Sequence, residues 1–267
     1  MKRINLIAIS VMFFGLKPAS ACNENLVNLN RDIDIHTAAY YNSDGSPNCE
    51  VRKLALFLLK TSNDHKVLDS ALSLIKGQGH YSTSAATIVF DLLKKENPDE
   101  IRALAAQVWY LLFYKLTEPE LQEQSFTYLL NEKILTDIIQ LVNHDKVEDV
   151  RRYVAQIGQV LLGPYRNLEK YHLRTDLSEA QLFRAEKLGE VFIPIFLNLL
   201  LFDMSEVSAN IRGEILVALD NLSIAKAAVL PNNLALFIKW NREETDPSNM
   251  GRLDDNPILG PLIKSKP

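Results

Sequence analysis

From residue 49 to residue 239, apolar side chains recur every three or four positions, and short polar segments separate the apolar stretches. This spacing places the apolar side chains on one face of an α-helix, whereas the alternation typical of half-buried strands is almost absent. Glycine and proline cluster between the apolar stretches, where they favour turns. The pattern therefore predicts an all-α protein.

Four of the predicted helices begin alike, with an acidic or amide residue, a β-branched apolar residue and then arginine. The arginines are Arg52, Arg102, Arg151 and Arg212. The β-branched residues before them are 50, 49 and 61 positions apart. Another predicted helix and a polar turn precede three of the four starts, so the unit is helix, turn, helix. We expect the four arginines to face carboxylates on the same or a neighbouring unit.

This unit resembles the repeats of the HEAT and armadillo families, most fully at residues 135–162. The resemblance covers residues 49–240 and implies a right-handed α-α superhelix, a short solenoid whose stacked helix pairs share one core. The spacing exceeds the usual 40 to 47 residues, which leaves room for a third helix in a unit, such as residues 65–76. The longest interval contains an insertion, residues 163–177.

The segments outside the repeats complete the predicted organisation. Residues 1–21 are a leader, residues 22–48 an N-terminal segment and cap, and residues 241–267 an irregular C-terminal tail with four prolines. The apolar part of the tail, residues 258–263, either covers the last helix or remains disordered.

The first 21 residues have the pattern of a secretory signal peptide. Lys2 and Arg3 precede an uncharged apolar run, and the small residues Ala19-Ser20-Ala21 follow it. The run is shorter than the roughly 20 residues that a transmembrane helix needs. A buried N-terminal helix is the alternative. We expect cleavage after Ala21 and a periplasmic or secreted protein.

Cys22 and Cys49 are the two cysteines of the chain, and two interpretations of them exclude each other. Cysteines in an oxidising compartment tend to pair, which predicts a Cys22–Cys49 disulfide. A cysteine directly after small residues also resembles a bacterial lipobox, which would make Cys22 a lipid anchor and leave Cys49 as a lone thiol. Ala19 stands where lipoproteins usually carry leucine, and this favours ordinary secretion.

The charge of the chain disfavours nucleic acid as a partner, and its apolar segments predict no transmembrane helix after the leader. Loss of Lys2, Arg3 and Lys17 with the leader would lower the net charge from −4 to −7. An acidic chain without a run of lysine or arginine is a poor nucleic-acid binder. After the leader, no segment is apolar for long enough to span a membrane; the nearest, residues 191–202, contains Pro194 and Asn198.

Motifs for catalysis and cofactor binding are absent from the sequence. The five histidines do not have the spacing of metal ligands, and there is no nucleophile elbow, phosphate loop or dinucleotide fingerprint. We therefore expect no catalytic residues, no metal ligands, no cofactor and no enzymatic activity.

Aromatic and arginine side chains are the remaining candidates for contacts. Trp109 and Phe113 lie one helical turn apart and are expected in the core, whereas tyrosines are favoured at protein interfaces. Insertions also concentrate contacts. The predicted partner-binding residues, on the helix that begins near Val150 and in the insertion after it, are Arg152, Gln156, Tyr165, Tyr171 and Arg174.

Two functions remain open from the sequence. The first is a periplasmic protein-binding scaffold, either an immunity protein that neutralises a toxin or an envelope assembly factor or chaperone. The second is an envelope hydrolase whose catalytic residues are scattered over several helices. The lack of catalytic motifs and the acidic charge favour the scaffold.

Overall fold

The computed structural model describes most of the chain after residue 21. Described are residues 22, 29, 32–94, 96–114, 116, 119–157, 166–167, 172–173 and 178–180, scattered helical positions from 183 to 197, and residues 209–222, 231–254, 256 and 259–264. These residues are helical, apart from turns, loops, one short hairpin and an isolated bridge. The predicted all-α fold is therefore confirmed. The predicted leader, residues 1–21, lies outside the described residues.

Ten helices are found in the described ranges. They are α1 (Cys49–Thr61), α2 (His65–Gln78), α3 (Thr83–Asp91), α4 (Asp99–Phe113), α5 (Pro119–Leu129), α6 (Glu132–His144), α7 (Glu148–Ala155), α8 (Ala209–Leu222), α9 (Pro231–Glu243) and α10 (Leu259–Lys264). Two-residue strands, β1 (Arg166–Asn167) and β2 (His172–Leu173), pair antiparallel within the predicted insertion. The chain forms two compact units, residues 1–80 and 81–267.

Side-chain caps explain where several helices begin. The side chains of Asn48, Asp64, Ser82 and Asn131 accept N–H groups from the first turns of α1, α2, α3 and α6. These N–H groups have no partner within the helix itself. At the other end, α2 stops at Gly79, whose φ of +63° suits glycine. Short polar residues at the turns thus set the helix boundaries.

In the N-terminal unit, α1 packs against α2. Their apolar faces meet around Leu56 and Leu72, which are completely buried. The predicted disulfide joins Cys22 to Cys49, with their Cα atoms 5.4 Å apart. A sulfur bonded in this way cannot also carry a thioether-linked lipid, so the disulfide and lipidation at Cys22 are incompatible.

In the C-terminal unit, the helices that begin with the repeated motif pack side by side: α4 contacts α7, and α7 contacts α8. The preceding helices α3 and α6 pack against α4 and α7, respectively. Trp109 and Phe113 are completely buried, and their ring centroids are 5.1 Å apart. Their predicted place in the core is confirmed.

Two of the repeated arginines make the same contact with the preceding helix. The Nε group of Arg102 donates to the carbonyl of Leu93 at 3.0 Å, and that of Arg151 donates to the carbonyl of Val142 at 2.9 Å. Each acceptor lies nine residues earlier, at or just beyond the end of the preceding helix. Carbonyls at a helix end lack intrahelical partners. The arginine therefore links the second helix of the unit to the end of the first.

The expected pairing of arginines with carboxylates is confirmed for two of the four. Arg102 pairs with Asp145, in the turn after α6, and Arg212 pairs with Glu244, just after α9. For Arg52 and Arg151 the structure shows bonds to backbone carbonyl oxygens, those of His80 and Val142. Pairing of a buried arginine with either kind of acceptor offsets the cost of removing its charge from water.

The C-terminal tail is less irregular than predicted. Helix α9 continues to Glu243, and α10 forms and contacts α9. The side chain of Asn256 accepts the N–H of Leu259 at 2.9 Å, while Leu259 and Ile263, one turn apart, are buried. The prediction of an irregular tail is therefore wrong at α10, because a cap and an apolar pair suffice for a short helix packed on a neighbour. This apolar segment does cover the last long helix.

Candidate binding surface

The structure describes two of the five predicted partner-binding residues. Arg152 lies in α7 with one third of its side chain exposed, and Gln156 directly follows that helix. The N–H of Gln156 donates to the carbonyl of Arg152 at 3.0 Å. The other three predicted residues, Tyr165, Tyr171 and Arg174, lie outside the described residues. The surface around Arg152 is formed by α7 and by the two helices that contact it, α4 and α8.

Three tyrosines form a row across α4 and α7. Tyr110 lies in the last turn of α4 and Tyr114 directly follows that helix, with ring centroids separated by 5.8 Å. Tyr153 on α7 has its centroid 6.0 Å from that of Tyr110. Tyr114 is the most exposed of the three, at 47%. Because Tyr110 follows the buried Trp109 by one position, it lies on a different face of α4 from the core.

Neighbouring side chains hold Tyr153 in place from two sides. The side-chain amide of Gln107 donates to the Tyr153 hydroxyl at 2.9 Å. The guanidinium carbon of Arg152 lies 4.8 Å from the centre of the Tyr153 ring, a cation–π arrangement. Arg152 is itself bonded to Asp149 at 2.8 Å. Tyr153 is thus held in position before a partner binds.

The Tyr110 hydroxyl stays protonated at physiological pH. Burial, together with the smaller effects of the neighbouring Tyr114, Glu214 and Tyr153, raises the pKa of Tyr110 to about 12. A protonated phenol both donates and accepts hydrogen bonds. The row therefore offers apolar ring surface together with neutral polar groups.

A polar pocket of about 240 Å³ adjoins the aromatic row between α7, α8 and the loop 244–254. Its lining includes Arg152, Asn210, Gly213, Glu214, Asn249 and Arg252. Arg152 thus belongs both to the aromatic row and to the pocket. We call the row and the pocket together the tyrosine–arginine surface; it comprises Tyr110, Tyr114, Arg152, Tyr153 and the pocket lining.

The loop that closes this pocket is held by the fourth repeated arginine. Arg212 binds both carboxylate oxygens of Glu244, with Nε–Oε2 and Nη2–Oε1 distances of 2.9 and 3.1 Å. The same carboxylate accepts the N–H groups of Thr245 and Asp246. Farther along the loop, the buried Asn249 donates to the carbonyl of Ala209 at 3.0 Å. These contacts fix the loop against the start of α8.

Burial and hydrogen bonding act in opposite directions on Glu244. Burial by itself would raise the pKa of Glu244, but the bonds from Arg212 and from the two backbone N–H groups outweigh it and hold that pKa below its ordinary value of 4.5. The carboxylate is therefore ionised throughout the neutral range. Its charge stabilises the folded loop.

Acidification should weaken the Arg212–Glu244 pair. Since the pKa of Glu244 is lower in the folded than in the unfolded chain, its stabilising contribution is complete above about pH 4.5 and is lost as the pH falls through the folded-state pKa. In urea unfolding, we expect Glu244→Gln to lower the free energy of unfolding more at roughly pH 6 than at roughly pH 3. Glu243→Gln is the control: this neighbouring carboxylate is exposed, so its loss should change the free energy of unfolding little at either pH. Equal losses for Glu244→Gln at both pH values would contradict the ionised pair.

Sequence reasoning missed several residues of this surface. Tyr153 had a usable signal, because it directly follows Arg152 in the same helical turn. No sequence signal marked Gln107, Asn249 or Arg252, since a glutamine inside a helix and polar residues in a loop are ordinary surface residues. Their roles follow only from what they contact.

A serine–histidine contact in the N-terminal unit bears on the hydrolase alternative. The Ser70 hydroxyl lies 2.8 Å from Nδ1 of His36. The Asp34 carboxylate accepts the backbone N–H of His36 and the Thr37 hydroxyl, so it does not orient the imidazole ring as a catalytic triad requires. Among the described residues, the contact is therefore a serine–histidine pair without the third group that would orient the histidine.

Comparisons with protein-family models, with curated proteins and with solved structures find no match for this chain. Within the described ranges, no group of three or more histidine, cysteine or acidic residues is placed to hold a metal ion. Nor does any described helix combine the length and apolarity needed to cross a membrane. Function must therefore be inferred from the residues of the surface itself.

Proposed function

We propose that this protein is an exported protein-binding scaffold of HEAT-like helix pairs, and that it binds its partner through the tyrosine–arginine surface. The observation that carries the proposal is the row of Tyr114, Tyr110, Tyr153 and Arg152 across two neighbouring helices. Neutralisation of a toxin in the cell envelope is one version of this role, and envelope assembly or chaperoning is the other.

The composition of the row suits an interface. Tyrosine and arginine are enriched among the residues that contribute most to protein–protein binding. The contacts of Tyr153 with Gln107 and Arg152 reduce the side-chain freedom that binding would otherwise remove. A partner would therefore meet a surface of suitable chemistry in which Tyr153 is already held in place.

The HEAT-like assignment has two supports. The recurring contact from Arg102 and Arg151 to carbonyls nine residues earlier is the behaviour expected of a repeated unit. Side-by-side packing of α4, α7 and α8 places the second helices of successive units on one surface, as in proteins that bind partners along such helices.

Export is supported by the N-terminal pattern and by the disulfide. Disulfides persist in oxidising compartments and are rare in the reducing cytoplasm. The Cys22–Cys49 bond therefore favours the periplasm or the exterior of the cell. Cleavage after Ala21 would leave Cys22 at the new N-terminus, ready to form this bond.

Site-specific crosslinking can test the proposed surface. With the photoreactive amino acid p-benzoylphenylalanine at position 114, irradiation in envelope extract should attach one discrete protein to the scaffold. The same group at the comparably exposed Tyr41, in the N-terminal unit, is the matched control and should not capture that protein. Equal capture from both positions would contradict a specific surface.

Removal of two rings should weaken binding of the captured protein. We expect the double variant Tyr114→Ala and Tyr153→Ala to bind it at least tenfold more weakly, a loss of about 1.4 kcal/mol, with its helical circular dichroism unchanged. Tyr41→Ala should retain the wild-type dissociation constant, measured by calorimetry. Undiminished affinity of the double variant would place the interface elsewhere.

The envelope hydrolase remains the alternative function, and the Ser70–His36 contact is the observation in its favour. If the purified protein hydrolysed a cell-wall or lipid substrate, and Ser70→Ala and His36→Ala each abolished that hydrolysis, the scaffold proposal would be replaced. Retention of partner binding by both variants would instead separate this pair from the proposed function.

A further inference from the structure

We propose that the pocket beside Arg152 accepts a carboxylate group of the partner polypeptide. This inference rests on the proposed protein-binding function and names the chemistry that the partner must supply. The tyrosines would contact the surface around the carboxylate, while the pocket would bind the charged group itself. The partner's acidic side chains and its C-terminus offer this same chemistry.

Arginines outnumber carboxylates in the lining of the pocket, although the chain as a whole is acidic; Asp149, which pairs with Arg152, lies outside the lining. The lining contains two arginines, Arg152 and Arg252, and one carboxylate, that of Glu214, whereas the chain has a net charge of −4. Concentration of guanidinium groups in one concave site attracts anions locally even when the rest of the surface repels them. A carboxylate is the anionic group that a protein partner carries most commonly.

Arg152 lines the pocket and has unused hydrogen-bonding capacity. One terminal nitrogen, Nη2, binds Asp149, but Nε is buried and has no hydrogen-bond partner among the described residues. A buried polar group without a partner is costly. A carboxylate oxygen that reached this side of the guanidinium would provide the missing acceptor and form a charge-assisted hydrogen bond.

The shape of the pocket depends on a glycine. A Cβ atom at Gly213 would lie 3.1 Å from Oδ1 of Asn249 and 3.3 Å from Nη1 of Arg252. In the other repeats the residue after the motif arginine is Lys53, Ala103 or Arg152. The absence of a side chain at this position in α8 thus allows Arg252 and Asn249 to approach the helix closely.

The pocket is held in this shape before binding. Asn249 is 1% exposed and is anchored to the carbonyl of Ala209, while Arg212 and Glu244 hold the start of the loop. A site whose groups are already in place loses less entropy when it binds. A volume of about 240 Å³ matches a carboxyl-bearing side chain or chain end and is too small for a folded segment.

Titration with small carboxylates tests this assignment directly. The probes are acetyl-aspartate N-methylamide, which has only a side-chain carboxylate, and acetyl-alanine, which has only a terminal one. Acetyl-asparagine N-methylamide is the neutral control. At constant ionic strength, we expect the Nε–H NMR signals of Arg152 and Arg252 to shift in a saturable manner with at least one carboxylate and not with the control. The responding probe identifies the source of the group.

Two variants separate a shaped pocket from general electrostatic attraction. Gly213→Ala keeps both arginines but crowds Arg252, and Arg252→Ala removes one charge; we expect each to weaken carboxylate binding at least fivefold. Arg242→Ala, at an exposed arginine outside the pocket lining, should bind as wild type does. Equal response to the neutral probe, or wild-type affinity in both pocket variants, would overturn the proposal.

The pocket and the protein-binding function can fail separately. A partner captured from position 114, together with no response to either carboxylate, would overturn the pocket alone. Saturable carboxylate binding at Arg152 and Arg252 without any captured partner would overturn the protein-binding function and leave only an anion site.

Discussion

Replacement of Asp145 by asparagine is expected to lower the free energy of unfolding of the C-terminal unit by about 3–5 kcal/mol. The side chains of Arg102 and Asp145 are 0% and 1% exposed, so the variant leaves the buried arginine with only the half-exposed Asp99 carboxylate, 3.6 Å away, as a counter-charge. Asparagine retains an oxygen that can accept the N–H of Val147, as the aspartate does at 2.9 Å. Loss of charge, rather than loss of shape, is thus the main change.

Matched variants show whether burial is the cause. Asp149→Asn breaks the pair with Arg152, whose side chains are 33% and 51% exposed, and should cost less than about 1 kcal/mol. Removing both charges, with Arg102→Met and Asp145→Leu, should recover much of the stability that Asp145→Asn loses, because no uncompensated charge remains. Urea unfolding followed by far-ultraviolet circular dichroism measures all three. A loss for Asp145→Asn no greater than that for Asp149→Asn would refute the role of the buried pair.

Reduction of the disulfide should destabilise the N-terminal unit by about 3–4 kcal/mol. Cys22 and Cys49 are 27 residues apart in the sequence, and the bond between them restricts the unfolded chain by closing that loop. We expect amide hydrogen exchange in α1 and α2 to accelerate when dithiothreitol is added to the wild-type protein.

The double variant Cys22→Ser and Cys49→Ser is the control for this effect. It should exchange rapidly in both oxidising and reducing buffer, because it has no bond to lose. Mass spectrometry should find an exported protein that begins at Cys22 and is two hydrogen atoms lighter than its reduced, dithiol form. A diacylglyceryl adduct at Cys22, or two reactive thiols in the native protein, would contradict the disulfide.

Local chemistry explains why much of the fold was predictable. A helix depends on interactions within one or two turns of the chain. The three- and four-residue spacing of apolar side chains therefore predicts where a helix lies, and the caps at Asn48 and Asp64 mark where α1 and α2 begin. Trp109 and Phe113 could be assigned to the core because they share one face of an apolar helix. The same reasoning underestimated the tail, where a short helix forms by packing on α9.

The sequence by itself determined the all-α class and the repeated arginine positions, and it reduced the chemistry of Cys22 to a disulfide or a lipid anchor. Tertiary structure alone decided what those arginines contact and where the candidate site lies. Asp145 is 43 positions from Arg102, and Arg252 is 39 from Gly213 in a different segment, so no local pattern relates them. Such partners are chosen when helices pack, because burial removes water and each buried charge must then find its acceptor nearby.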